Sequence, residues 1–268
     1  MKQSLTCMTR SKVRQIAAVC GLLLLWQFAS SMLHNDILLP SPAAAFESLL
    51  KILSDPASYE AILRTLYRVG KGLLLSFILA LVLVILAERK PVFRDYLHPF
   101  VVITSSIPNV SYMILAIIWL GNEGSVTAVT MLVLFPILFS GLYTAVAEES
   151  QALRDVEALY PETFFYALRY RLVPMLYLSG LRTLKTAAQL GFKVGVMAEI
   201  LGAVRAGVGR QIHFADLNLD TASVLAWTVI IIILSWMISA LIELMIQHRV
   251  KYEKTAGIKP ADQGLTTK

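Results

Sequence analysis

The sequence predicts an all-α integral membrane protein with six transmembrane helices, and three observations lead there. Of the 268 residues, 57% are hydrophobic and only 16% charged, which is too apolar for a water-soluble domain of this length. Apolar stretches of about 20 residues, enough to cross the hydrocarbon core as a helix, recur along the chain. Lys and Arg are shared unevenly among the segments between those stretches.

The spans fall near 16–32, 69–87, 98–119, 125–147, 176–202 and 222–246. The first follows a basic leader, 1–15, with Lys2, Arg10, Lys12 and Arg14. Ala29, Ser30 and Ser31 imitate the end of a secretory signal. The apolar part is long for a signal core, and losing it would leave an odd number of spans, so an uncleaved first helix is expected. Pro40 and Pro42 then stop and turn the chain. Over 43–53, Phe46, Leu49, Leu50 and Leu53 recur at helical spacing, which suits an amphipathic helix at the outer interface or one packed on the bundle. Gly70 and Gly72 open the second span, and a short basic turn from Glu88 to Asp95 leads to the third. Pro108 and Pro136 lie within the third and fourth spans. They mark kinks, whether structural or bounding a pathway, because neighbours or water can satisfy the freed carbonyl. A polar tail, 251–268, closes the chain.

Six crossings put both termini on one side. Fifteen Lys and Arg residues fall in the leader, the turns after the second and fourth spans, and the tail; six fall in the opposite segments. Basic short loops stay in the cytoplasm, so both termini are expected there, in the cell membrane. The net charge of +6 is then an orientation signal and not a nucleic-acid footprint. Cys7 and Cys20 stand in the leader and the first span, where a structural disulfide is not expected. His34, His98, His213 and His248 lack metal-ligand spacing. Gly207 and Gly209 are followed by no Gly-Lys-Ser/Thr phosphate loop and read as a turn, and no Gly-x-Ser-x-Gly elbow occurs. No enzyme activity, cofactor or metal is expected, and nucleotide binding must lie on another chain.

The domain thus runs over 16–250, and two parts of it invite function. In the fifth span Arg182, Lys185, Gln189, Lys193 and Glu199 fall within about a third of the circumference at 100° per residue, while Ala188, Gly191, Gly195, Ala198 and Gly202 take the opposite side. Small residues allow close helix approach in lipid, so that side should pack inside, with the polar side facing water. Lys193, near mid-span, needs compensation of about 2.5–3.5 kcal/mol. It is expected to line a translocation cavity with Gln189, Glu199 and Pro108; a salt bridge to another span or subunit is the alternative. Arg182 and Lys185 are expected to snorkel to the headgroups. Glu199, near the outer end, is a gate candidate.

The second part is the cytoplasmic segment 148–174. Leu153, Val156, Leu159 and Tyr160 recur at helical spacing, Pro161 breaks the helix, and Phe164, Leu168 and Leu172 fit a second short helix. Phe164 and Phe165 need cover, from a partner protein or from the bundle's own inner face.

This segment resembles the Glu-Ala-Ala loop of ABC importer permeases. Asp155-Val156-Glu157 stand near the triplet, Pro161 occupies the glycine region, and Val173-Pro174 stands for Leu-Pro. Leu38-Leu39-Pro40-Ser41-Pro42, Thr65 with Arg68 and Gly72, Ser106-Ile107-Pro108, Trp119-Leu120-Gly121, Ala198-Glu199, Gly207-Val208-Gly209, and Asp220 with Ala226 follow in the order of the permeases for nitrate, sulfonates, taurine and vitamin precursors. The resemblance covers about residues 14–250. It implies a type I importer permease fold, a second permease copy in a homodimer or pseudo-dimer, separate ATP-hydrolysing subunits and an external solute-binding protein. It also implies that Leu159, Tyr160, Pro161, Glu162, Thr163, Phe164 and Phe165 couple to the ATPase.

Overall fold

A computed structural model of the chain describes residues 2–147, 159–160 and 163–255. Every regular element among them is helical. The helices are α1 (Lys2–Leu33), α2 (Pro42–Ser54), α3 (Pro56–Arg89), α4 (Pro91–Ser106), α5 (Asn109–Ala147), α6 (Phe164–Ala167), α7 (Val173–Leu201), α8 (Val208–Leu217) and α9 (Thr221–Thr255). Three of them, α3, α5 and the Thr221–His248 part of α9, are long and apolar enough to cross a membrane; Ala17–Leu33 is a shorter apolar run.

Local chemistry sets the boundaries. The Ser41 hydroxyl accepts from the Ala44 N–H at 3.1 Å, with Pro42 at the first turn of α2, where a missing N–H is harmless. Asp55 caps α3 in the same way, accepting from Ala57 at 3.0 Å with Pro56 behind it. The 34 residues of α3 are about 51 Å long, well beyond the roughly 30 Å of hydrocarbon. The helix begins fourteen residues before Gly70, and its polar first half, with Arg64, Arg68 and Lys71, overhangs the apolar run that starts at Gly72.

The predicted third span, 98–119, is not one helix. Ile107 is extended (φ −74°, ψ 129°), as a residue before proline prefers, and Pro108 stands exposed between α4 and α5. Pro108 thus ends a helix instead of kinking one. Within α5 the backbone departs from helix at Gly121 (φ 69°, ψ 179°), which divides it into 109–120 and 122–147. Pro136 stays inside the second part.

The short helix expected over Phe164, Leu168 and Leu172 is not separate, because the chain passes from α6 into α7 without a break. A π-turn, Leu168–Leu172, joins them, with the Val173 N–H reaching Leu168 five residues back. A proline ring clashes with the carbonyl four residues earlier, and the wider turn relieves that conflict.

Packing is closest along the small-residue side of α7. Ala188, Gly191, Gly195, Ala198 and Gly202 are all buried, as expected. A Cβ on Gly195 would lie 2.3 Å from a Val69 methyl of α3, and one on Gly72 would lie 2.7 Å from Thr130 of α5. These approaches bring α3, α5 and α7 together around Ala80, Val84, Leu134, Leu138, Leu142 and Leu176. Met113 and Ala116 of the first part of α5 share a second core with Val126, Val129, Val194 and Val204. The last helix, α9, packs against α7, α2 and α8.

Candidate functional site

At the end of the bundle where α3 overhangs, four charged or polar side chains from three helices converge. Glu199 of α7 is fully buried and accepts three hydrogen bonds: from Arg68 Nη1 at 2.8 Å, from the Thr65 hydroxyl at 2.8 Å and from the Gly209 N–H at 2.9 Å. Thr65 in turn accepts from the Val208 N–H at 2.8 Å. Arg68, itself only 6% exposed, also donates through Nη1 to the Ala206 carbonyl at 2.6 Å and through Nη2 to Glu123. The other oxygen of Glu123 accepts the Arg205 N–H at 2.8 Å.

This arrangement ties the first half of α3, the Gly121 junction of α5, the end of α7 and the 202–209 turn into one unit. Buried charges persist only when paired and fully hydrogen-bonded, and Glu199 satisfies that condition. The turn is shaped to the carboxylate. Gly207 lies at φ 154°, and a Cβ there would stand 2.6 Å from both Glu199 oxygens; one on Gly209 would stand 2.5 Å from the Glu199 Cβ. The expectation that these glycines form a turn holds for Gly207, whereas Gly209 already belongs to α8.

The polar stripe of α7 divides. Arg182, Gln189 and Lys193 are exposed, and Lys193 has no ion-pair partner among the described residues. Glu199, six residues on and so about 120° round the helix from Lys193, turns inward instead of facing water. Lys185 does not reach for headgroups but binds Glu243 of α9 at 2.7 Å. Pro108 sits exposed at the α4–α5 junction.

Of the seven coupling candidates, Pro161 and Glu162 lie outside the described residues, and so does the side chain of Phe164, whose backbone starts α6. Leu159, Tyr160 and Phe165 are 75%, 74% and 80% exposed. Thr163 starts the helix through its carbonyl, which accepts from the Tyr166 and Ala167 N–H groups. Tyr166 and Tyr170 pack with ring centroids 4.7 Å apart, and the Arg169 guanidinium lies 5.9 Å from the Tyr170 ring. Most of the surface of Leu159, Tyr160 and Phe165 is therefore open to solvent in the single chain. Arg171 pairs with Glu88 of α3 at 3.7 Å, fixing this end of the bundle.

Arg68 and Thr65 entered the sequence reading only as family markers, and Glu123 did not enter it. Glu123 is nevertheless the lone charge between Asn109 and Ala147, which in an apolar helix signals a partner.

No family model matches the chain. It is 24% identical over 225 residues to the taurine transport system permease protein TauC of Escherichia coli (strain K12), an alignment covering 80% of this chain and 79% of that one. The chain is a distant relative of a transport permease and, with its apolar helices, a multi-pass membrane protein.

Proposed function

We propose that this chain is the membrane-spanning subunit of an ATP-driven importer of the nitrate, sulfonate and taurine type. It forms a six-span pathway for a small, anionic or polar solute and hydrolyses nothing itself. The observation that carries the reading is the exposed apolar and aromatic surface at this elbow: Phe165 belongs to the helix that continues without interruption into α7, and Leu159 and Tyr160 stand just before that helix. Apolar side chains at a polar membrane face are covered by a partner when their own bundle leaves them open.

In this reading an ATPase subunit receives the elbow, including Pro161, Glu162, Thr163 and Phe164. A second copy of the chain completes the pathway, so that Lys193, Gln189, Pro108 and the gate residue Glu199 act across two permeases. An external binding protein delivers the solute, and both termini lie in the cytoplasm. Support comes from the resemblance in motif order and from the 24% identity to TauC.

Co-purification from the native membrane tests it. An ATPase subunit should accompany the wild-type chain and be lost with the pair Tyr160→Ala and Phe165→Ala, which removes exposed rings and leaves the fold intact. Retention of the ATPase by the double variant, or its absence from the wild type, refutes the coupling role. The latter result favours an ATP-independent channel or scaffold.

A further inference from the structure

A cleft of 840 Å³ opens between α3 and α5 beside the buried network. Its charged wall belongs to α3. Arg64, Arg68 and Lys71 follow at i, i+4 and i+7, a cationic ladder rising about 10 Å along one helix face. Leu75, Leu120 and Met131 supply apolar lining below. No residue of α7 lines it, so it is distinct from the Lys193 stripe.

The three cations are not equally engaged. Arg64 holds Glu60 at 2.8 Å, both side chains being more than half exposed. Arg68 is held from behind by Glu199 and from the cleft side by Glu123, whose side chain is 46% exposed. Lys71 has no ion-pair partner among the described residues, and it stands one residue before the apolar run of α3. An ammonium at the margin of hydrocarbon, next to a guanidinium whose front partner is a half-exposed carboxylate, is an anion site already occupied by the protein's own Glu123.

We propose that this cleft binds a small oxyanion, held by Lys71 and Arg68, which takes the place of the Glu123 carboxylate. Glu123 also accepts the Arg205 N–H, so its displacement frees that amide, while Arg68 still holds the Ala206 carbonyl and Glu199 still holds Arg68 and the Gly209 N–H. Occupancy of the cleft and release of the Arg205 amide are then one event. This deepens the transport reading by giving the solute's anionic group a first contact, but the measurement below needs neither ATPase nor uptake. Failure of the one is therefore separable from failure of the other.

Hydrogen–deuterium exchange of the full-length chain in nanodiscs reads the turn directly. Sodium sulfate, nitrate and methanesulfonate are titrated in turn against sodium chloride at equal ionic strength. At least one oxyanion should raise exchange in the peptide holding Arg205 by about fivefold, the loss of one half-exposed ion pair and its shared amide bond. Lys71→Met, at an exposed site, should keep the basal exchange and shift the response to about tenfold higher anion concentration. Glu123→Ala, which leaves the Arg205 N–H without its acceptor, should show raised exchange from the start and no further response. If no oxyanion exceeds chloride, or Lys71→Met responds as the wild type does, the site is not there.

Discussion

Replacing Glu199 by Gln isolates the buried network, because the two side chains share a shape. The carboxylate accepts on both oxygens, Oε1 from Arg68 and Oε2 from Thr65 and Gly209. An amide has one acceptor oxygen, so its NH₂ must face either the guanidinium or the pair of donors, and a donor-to-donor contact is unavoidable. Removing one partner of a buried ion pair costs about 3–5 kcal/mol. Arg68 keeps Glu123 as a second partner, which places the effect near 3 kcal/mol, the lower end of that range. At about 2–4 °C per kcal/mol for a chain of this size, the unfolding midpoint in detergent should fall on the order of 10 °C. Glu123→Gln, at a half-exposed group, should lose about 1 kcal/mol or less. The double change Arg68→Met with Glu199→Met removes both charges and should be more stable than Glu199→Gln alone. Equal midpoints for Glu199→Gln and Glu123→Gln, or a Glu199→Gln midpoint within error of the wild type, would refute the view that a desolvated charge pair holds this end together.

Gly195→Ala should destabilise by about 1–3 kcal/mol, because the new methyl meets Val69 at 2.3 Å; Gly70→Ala, with open space around its Cβ, should be neutral or stabilising by up to about 1 kcal/mol, and the two midpoints are compared in one thermal assay. Ser41→Ala removes the cap of α2 and should cost about 1 kcal/mol, with faster amide exchange confined to the first turn of that helix. Lys185 and Glu243 meet at 2.7 Å but are more than a third exposed. A double-mutant cycle with Lys185→Met and Glu243→Gln should therefore return a coupling of about 1 kcal/mol or less.

Apolar runs and small-residue spacing were readable in the sequence because each is a property of neighbouring residues. The buried face of α7 from Ala188 to Gly202 follows from the 3.6-residue period alone. The true start of α3 was hidden, since hydropathy registers the part of a helix that lipid covers and not the overhang before Gly70. The break at Ile107 and Pro108 was masked by an apolar composition that runs across it. The π-turn before Pro174 depends on how a helix absorbs a missing donor, which composition does not encode. The network was least legible. Arg68 stands 55 residues from Glu123 and 131 from Glu199, and only the tertiary fold makes them neighbours.

The join between α6 and α7 has a mechanical consequence. From Phe164 to Leu201 the backbone is one rod of 38 residues, about 55 Å long at 1.5 Å per residue. Such a rod has no compliant joint at which a push on its aromatic head could dissipate. A tilt of about 5° about one end would sweep the other through about 5 Å at that length, which exceeds the reach of any single hydrogen bond around Glu199.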